Sequence, residues 1–467
     1  MGISLISGWF PTTVVATALV ALALAVGWRT LRWRVAVLGL GAVAIGLTAG
    51  IWAYVTSNQL IVPALPLVAY SWVAAVVFSV LVAVAGWPSA RPRQRALGPV
   101  SVVLTTLMAA CLVNGYYAYF PTVQSLVGSP TAHQVSAEQV VAAGAGQGSE
   151  AIGYGTRGLP SHGVTFKVTI PGVVSHFRAR SAWVYLPPAW FATPRPRLPV
   201  VMLLEGTPSD PVDWFRAGLA DRTADRFAAT HHGLAPVLVL PDENGSTFGD
   251  TECLNQVHAR AEDYLVHDVR QFIIAKYQTA SNPSAWAVAG LSEGGTCAMD
   301  LALRHSNLFR QFGDFAGDPA PQLLNLRQTL HVLFHDSVAA QQKFDPGHLF
   351  AQRPRTRRMA AFFEAGRGDR SRSRLGHLLA RLAARSGIRT RWRAVPGPHN
   401  FVVWGESFHS ALDFFWPRFV WPGHDSPALT HVVTVTHRPV RRERKGIQAI
   451  GGIQRPGTTP TTASSRS

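Results

Sequence analysis

Ala285-Trp286-Ala287-Val288-Ala289-Gly290-Leu291-Ser292-Glu293-Gly294-Gly295 is the stretch from which the rest of the chain is best read. Ala285–Ala289 is short and apolar, as expected of a strand covered on both faces. A helix is expected to follow, running to about His305. Between them lies G-x-S-x-G, with Gly290 and Gly294 two positions either side of Ser292. A strand that turns abruptly into a helix has no space for side chains at those two places, and the turn projects the hydroxyl above the sheet. The helix N-terminus beside it favours developing negative charge. The bare motif arises often by chance, so its strand–turn–helix setting is what makes Ser292 a candidate nucleophile.

Working outward, Val164–Ile170 and Ala179–Tyr185 alternate in the manner of paired strands. Leu198–Leu204 and Pro236–Leu240 are continuous apolar runs, as central strands require. A helical stretch, Ala261–Tyr277, precedes the elbow. Met359–Glu364 and Ile388–Val395 follow it, with a helical segment near Arg374–Arg385 between them. Strands alternating with helices predict an α/β architecture with a mostly parallel sheet.

A serine hydroxyl needs a base, and the base needs an orienting acid, in the chain order Ser, acid, His for this kind of elbow. His399, in Val395-Pro396-Gly397-Pro398-His399-Asn400, comes just after the last strand, where the base belongs. The other downstream histidines lie in helices or irregular segments and read as surface or core residues. Asp369 follows a strand through the turn Ala365-Gly366-Arg367-Gly368 and is the expected acid. Glu364, inside the strand, and Asp336, in an insertion, compete with it, and a solvated turn aspartate is the plain alternative. Acyl transfer also needs donors for the oxyanion. The backbone N–H of Glu293 is one. The loop Glu205-Gly206-Thr207-Pro208 is expected to supply the other from Thr207, since Pro208 has no N–H.

The first 120 residues contain no acidic side chain and carry four apolar stretches, Pro11–Trp28, Val35–Val55, Leu65–Trp87 and Gly98–Tyr117. Each is long enough to cross ~30 Å of hydrocarbon. A cleaved signal peptide is the alternative for the first, but it lacks a charged leading region and three more spans follow. Arg29, Arg32 and Arg34 lie between spans one and two, and Arg91, Arg93 and Arg95 between spans three and four. The loop Ser57–Pro63 is uncharged. The positive-inside rule puts both arginine groups in the cytoplasm, both termini outside, and everything after Tyr119 extracytoplasmic. No ionisable residue marks a transport path within the spans, so anchor is the default role.

The formal net charge is +17, nearly all of it from arginine. The basic residues are scattered, and no nucleic-acid-binding motif accompanies them, so no nucleic-acid partner is expected. Cys111 reads as a small buried hydrophobe. Cys253 and Cys297 could pair if the globular part faces an oxidising compartment. No cysteine–histidine spacing argues for a metal, and no cofactor is expected. The organisation is therefore a four-helix membrane anchor (1–120), a Gly/Ala/Ser/Gln-rich linker (121–163), a globular domain (164–426) and a basic tail expected to be disordered (427–467).

The run Leu203-Leu204-Glu205-Gly206-Thr207, the elbow Gly290–Gly295, the closing His399-x-x-x-x-Trp404 and the preamble Arg180-x-x-x-Val184-Tyr185-Leu186-Pro187-Pro188 resemble the putative esterase family. That family includes esterase D and the mycobacterial mycolyltransferases. The resemblance covers roughly Val164–Phe419 and looks closest to actinobacterial members with an N-terminal membrane bundle. It implies an α/β-hydrolase fold, a triad of Ser292, Asp369 and His399, and backbone donors at Thr207 and Glu293. It implies hydrolysis of carboxylic esters or acyl transfer between lipids and sugars, with no cofactor. Related members carry Cys in the stretches matching Asp250–Cys253 and Gly295–Cys297, which favours a Cys253–Cys297 disulfide over two unpaired core residues. Two departures stand out: Glu205 replaces the His or Asp of many members, and the mycolyltransferases have no four-helix anchor. The expected protein is a multi-pass cell-membrane esterase acting on an acyl lipid, an aminoacyl lipid or an acylated envelope glycan. The alternatives are an acyltransferase using the same triad and a non-catalytic receptor or scaffold on a hydrolase fold. Its oligomeric state and protein partners are not readable from the residues.

Overall fold

The computed structural model describes residues 3–27, 30–57, 66–144, 159–256, 259–351 and 359–422. Trp28, Arg29, the uncharged loop after Ser57, residues 145–158 of the expected linker and the whole basic tail (427–467) lie outside the described residues.

Four helices open the chain: α1 (Trp9–Val26), α2 (Leu31–Ser57), α3 (Leu67–Gly86) and α4 (Pro92–Tyr117). Each is long and apolar enough to cross a membrane. Leu24, Leu38, Leu67 and Val103 stand exposed on their outer faces, an arrangement suited to hydrocarbon and not to water. Inside the bundle, small polar groups bind helix to helix, as where the hydroxyls of Ser79 on α3 and Thr105 on α4 meet at 2.8 Å. The arginines sit differently from expectation. Arg32 and Arg34 occupy the first turn of α2, and Arg93 and Arg95 the first turn of α4, so they are helical residues and not loop residues. The reason at α4 is Pro92 at the first helical position, with the Gln94 side chain accepting from the Arg91 N–H at 3.2 Å. Both arginine groups lie at one end of the bundle: a Cβ on Gly27 would come within 2.3 Å of the Gln94 amide.

The globular part is built on an eight-stranded sheet: β1 (Val164–Val168), β2 (Ala182–Leu186), β3 (Val200–Leu204), β4 (Val237–Leu240), β5 (Trp286–Leu291), β6 (Gln311–Phe315), β7 (Ala360–Gly366) and β8 (Arg389–Val395). The spatial order is β1-β2-β4-β3-β5-β6-β7-β8. β1 and β2 pair antiparallel, β2 pairs antiparallel with β4, and the remaining neighbours are parallel. β3, β4 and β5 are buried along their whole length, which is why their sequences are unbroken apolar runs. β6 was not expected, because Gln311 and Asp314 interrupt its apolar pattern. Each finds one partner inside: Gln311 donates to the Phe415 carbonyl, and Asp314 accepts from the Gly317 N–H at 2.7 Å.

Residues 123–144 hold two short helices, Val123–Val127 and Ala137–Gly144. Between them the backbone of His133 and Val135 bonds both polar groups of Thr165, so this stretch lies along the β1 edge of the sheet. The bundle and the globular part meet at the end opposite the arginines. There Leu5 donates to the Pro121 carbonyl, Val123 donates to the Ile3 carbonyl, and Asn114 at the end of α4 caps both backbone groups of Phe120.

Candidate active site

Ser292 sits between β5 and the helix Glu293–Arg304 with φ 53° and ψ −122°, a left-handed conformation costly for any residue with a Cβ. The two glycines make it sterically feasible. A Cβ on Gly290 would lie 2.1 Å from the Gly294 carbonyl oxygen, and one on Gly294 would lie 2.0 Å from that of Glu205. The Ser292 N–H donates to the Phe315 carbonyl at 3.0 Å, fixing the turn to the end of β6.

His399, 107 residues later, leaves the end of β8 through the turn at Gly397. Its Nε2 lies 2.9 Å from Ser292 Oγ. Its Nδ1 lies 2.9 Å from Asp369 Oδ2. The ring stands edge-on to Trp404, 4.8 Å between centroids. Asp369 caps the helix Arg370–Arg385, accepting from the Arg372 N–H at 3.1 Å through its other oxygen. Burial alone would raise the Asp369 carboxyl. The hydrogen bond and charge of His399, with Arg372, outweigh that and hold it below the usual carboxylate range. The competing acids point elsewhere. Glu364, inside β7, accepts from Ser407 at 3.0 Å and faces Arg393, and burial pushes its carboxyl up to about 7. Asp336 pairs with exposed His331.

Gly206 and Thr207 close over the serine from the end of β3; a Cβ on Gly206 would meet Ser292 Cβ at 3.2 Å. The N–H groups of Thr207 and Glu293 make no hydrogen bond among the described residues. The Thr207 hydroxyl binds the Gly249 carbonyl and Glu293 Oε2, which also accepts from Asn244 at 2.9 Å. Burial, with the charge of Asp250 adding to it, pushes the Glu293 carboxyl up to about 8. That shift favours the neutral form, which does not oppose negative charge forming beside its own N–H. Glu205, Asp242, Glu243 and Glu252 are buried behind it. Arg180 reaches Glu205, Asp210 and Asp242 from one guanidinium. Glu205 is thus an ion-pair partner of Arg180. Asn244 and the acids around it were not read from the sequence. The signal available was their place in the loop Pro241–Asn244 after β4, at the carboxyl end of the parallel strands where sites of this architecture form.

Cys253 and Cys297 are joined as a disulfide, tying the loop after Asp250 to the elbow helix. Away from the serine, His133, His162 and Asp225 bring ligand-type atoms within 4.8 Å of one another and form a group that could hold a metal ion. The histidine rings stack there at 4.4 Å, and Asp225 Oδ1 already accepts from the Gly163 N–H and the Tyr185 hydroxyl.

Ser292 and His399 open into a cavity of about 720 Å³ shared by the two parts of the molecule. One wall comes from the globular part, including Pro208, Leu291, Phe401 and Trp404. The facing wall comes from α1 and α4, including Phe10, Val14, Leu107 and Ala110.

A family model described as "Putative esterase" matches residues 177–415, about half of the chain. An uncharacterized protein of Corynebacterium glutamicum is 32% identical over 329 residues, 69% of this chain and 76% of the relative. Among solved structures, a ferulic acid esterase is similar at 19% identity and TM-score 0.48, covering 56% of this chain and 99% of its own. An S-formylglutathione hydrolase from Agrobacterium tumefaciens is similar at 18% identity and TM-score 0.46, covering 56% and 96%. The family match runs from the start of the sheet's core to the end of the helix that follows His399, so the fold and the serine elbow both fall within it, and the chain belongs to the putative esterase family, as an ester-cleaving serine hydrolase.

Proposed function

We propose that this protein is a membrane-anchored, extracytoplasmic serine esterase that works through an acyl-enzyme on Ser292. The observation that carries the reading is the unbroken line Ser292–His399–Asp369, two contacts of 2.9 Å each. In the first half-reaction His399 Nε2 takes the hydroxyl proton as Ser292 Oγ bonds to the ester carbonyl carbon. The carbonyl π electrons move onto oxygen, where the N–H groups of Thr207 and Glu293 receive the charge. Asp369 holds the imidazole in the tautomer with Nδ1 protonated and stabilises the cation. The intermediate collapses, the bond to the leaving alkoxide breaks, and the His399 proton completes the departing alcohol. Water repeats the sequence in reverse and frees the acid. A second alcohol in place of water would make the same cycle an acyl transfer.

An extracytoplasmic position is supported by the arginine-rich end of the bundle lying opposite the globular part, and by a disulfide in the globular part, which suits an oxidising compartment. Candidate substrates are acyl lipids, aminoacyl lipids and acylated envelope glycans. The test is hydrolysis of a chromogenic short-chain ester by the purified full chain and by Ser292→Ala. Loss of turnover in the variant is expected; equal rates would remove Ser292 from the mechanism.

A further inference from the structure

We infer that the cavity lined by α1 and α4 binds a hydrocarbon chain of a bilayer lipid and brings that lipid's ester to Ser292 without the lipid leaving the membrane. The inference rests on Ser292 as nucleophile and adds the substrate class.

Three observations carry it. The cavity that holds Ser292 and His399 continues along α4 from Tyr117 down to Leu107. Ten residues of helix are about 15 Å, roughly half of the ~30 Å hydrocarbon thickness. A chain lying there occupies the depth of one leaflet, with its ester end at the serine. Second, Phe10 and Val14 at the N-terminal end of α1 line the same wall beside α4. The slot is therefore formed within the apolar bundle, where a lipid chain is already at home. Third, most polar side chains on the wall are engaged by protein, the Tyr117 hydroxyl being an exception among the described residues. Asn114 caps Phe120, the Tyr119 hydroxyl binds Asp213, Ser209 also binds Asp213, and the Thr207 hydroxyl binds Gly249 and Glu293. A sugar would need those groups free; an alkyl chain does not. Leu291, Phe401 and Trp404 continue the apolar lining up to the reacting atoms.

The geometry serves equally a lipid whose acyl chain is cleaved off and one whose chain belongs to the alcohol. The shared requirement is a long alkyl group, and the test separates the two. The full chain, in lipid nanodiscs, is treated with fluorophosphonates bearing a dodecyl chain either on the phosphorus atom, standing for the acyl group, or on the alkoxy oxygen, standing for the alcohol. Each is compared with its ethyl homologue, and covalent labelling of Ser292 is timed. The serine oxygen bonds to phosphorus, fluoride leaves, and His399 takes the proton. Faster labelling by one dodecyl probe is expected, with the dodecyl-to-ethyl ratio falling roughly ten-fold or more in Val14→Trp and Ala110→Trp. Leu38→Trp, on the exposed face of α2, should leave the ratio as in wild type. Ratios near one for both probes, or ratios insensitive to both wall variants, would overturn the chain-binding inference while leaving the nucleophile in place. No labelling of Ser292 by any probe would overturn the nucleophile itself, and this inference with it.

Discussion

The side-chain amide of Asn400 donates to the backbone carbonyl of Tyr116, 2.9 Å away, joining the residue after His399 to the last turn of α4. The same side chain accepts from the Val403 N–H through its oxygen and caps the helix Phe401–Phe415. Asn400 thus positions His399 from two directions. Asn400→Ala should lower stability by about 1–2 kcal/mol through loss of the cap and of the bond to Tyr116, and lower kcat. Asn400→Asp keeps the capping oxygen but loses the donor. It should recover most of the stability and little of the kcat. Chemical unfolding and ester turnover measured on both variants separate the two roles; equal kcat in wild type and both variants would dismiss the positioning role.

Asp369 also has two duties, one toward His399 and one as helix cap. Asp369→Asn can retain the cap while misdirecting the imidazole tautomer. Turnover should drop on the order of 10⁴-fold, with the denaturation midpoint near that of wild type. A loss of less than roughly ten-fold would return the acid role to another residue.

Stability should fall as pH rises from mildly acidic to mildly alkaline values. Burial raises the carboxyls of Glu293 (about 8), Asp314 (about 7) and Glu364 (about 7), against roughly 4 in an unfolded chain. The folded protein then holds more protons than the unfolded one across that interval. The associated stability is complete below the unfolded value and is lost as pH rises through the folded values. Asp369 has the opposite sign: its lowered value contributes stability above about pH 4 that is lost only on further acidification. Thermal unfolding should give a lower Tm at about pH 8.5 than at about pH 5.5, and Glu293→Gln should reduce the difference. A Tm that climbs over that interval would contradict the burial argument.

The disulfide closes a loop of 44 residues, and a cross-link of that span restricts the unfolded chain by about 4 kcal/mol on the chain-entropy account. The double variant Cys253→Ala/Cys297→Ala should therefore unfold at lower denaturant, with a loss of about 3–4 kcal/mol. An unchanged midpoint, in the variant and in wild type under reducing agent alike, would show that the bridge adds nothing.

The sequence was most legible where one local rule dominated. The elbow is a steric requirement written into consecutive residues, and β3, β4 and β5 are apolar because both faces are covered. β6 escaped notice because Asp314 and Gln311 are buried with partners 3 and 104 residues away. The meeting of Asn400 with Tyr116 spans 284 residues, and no local pattern announces it. The two-walled cavity was hidden for the same reason. Phe10, Val14, Leu107 and Ala110 look like any other apolar residues of a span, and only the docking of the bundle sets them opposite Leu291 and Phe401.

Because Phe10 and Val14 stand on one side of that cavity and Phe401 and Trp404 on the other, neither half of the protein encloses it alone. Freeing the hydrolase from its anchor for work in solution would strip away the roof and bare a greasy floor next to the nucleophile. Selectivity assayed on such a fragment would describe an open bench, not the two-walled cavity of the full chain.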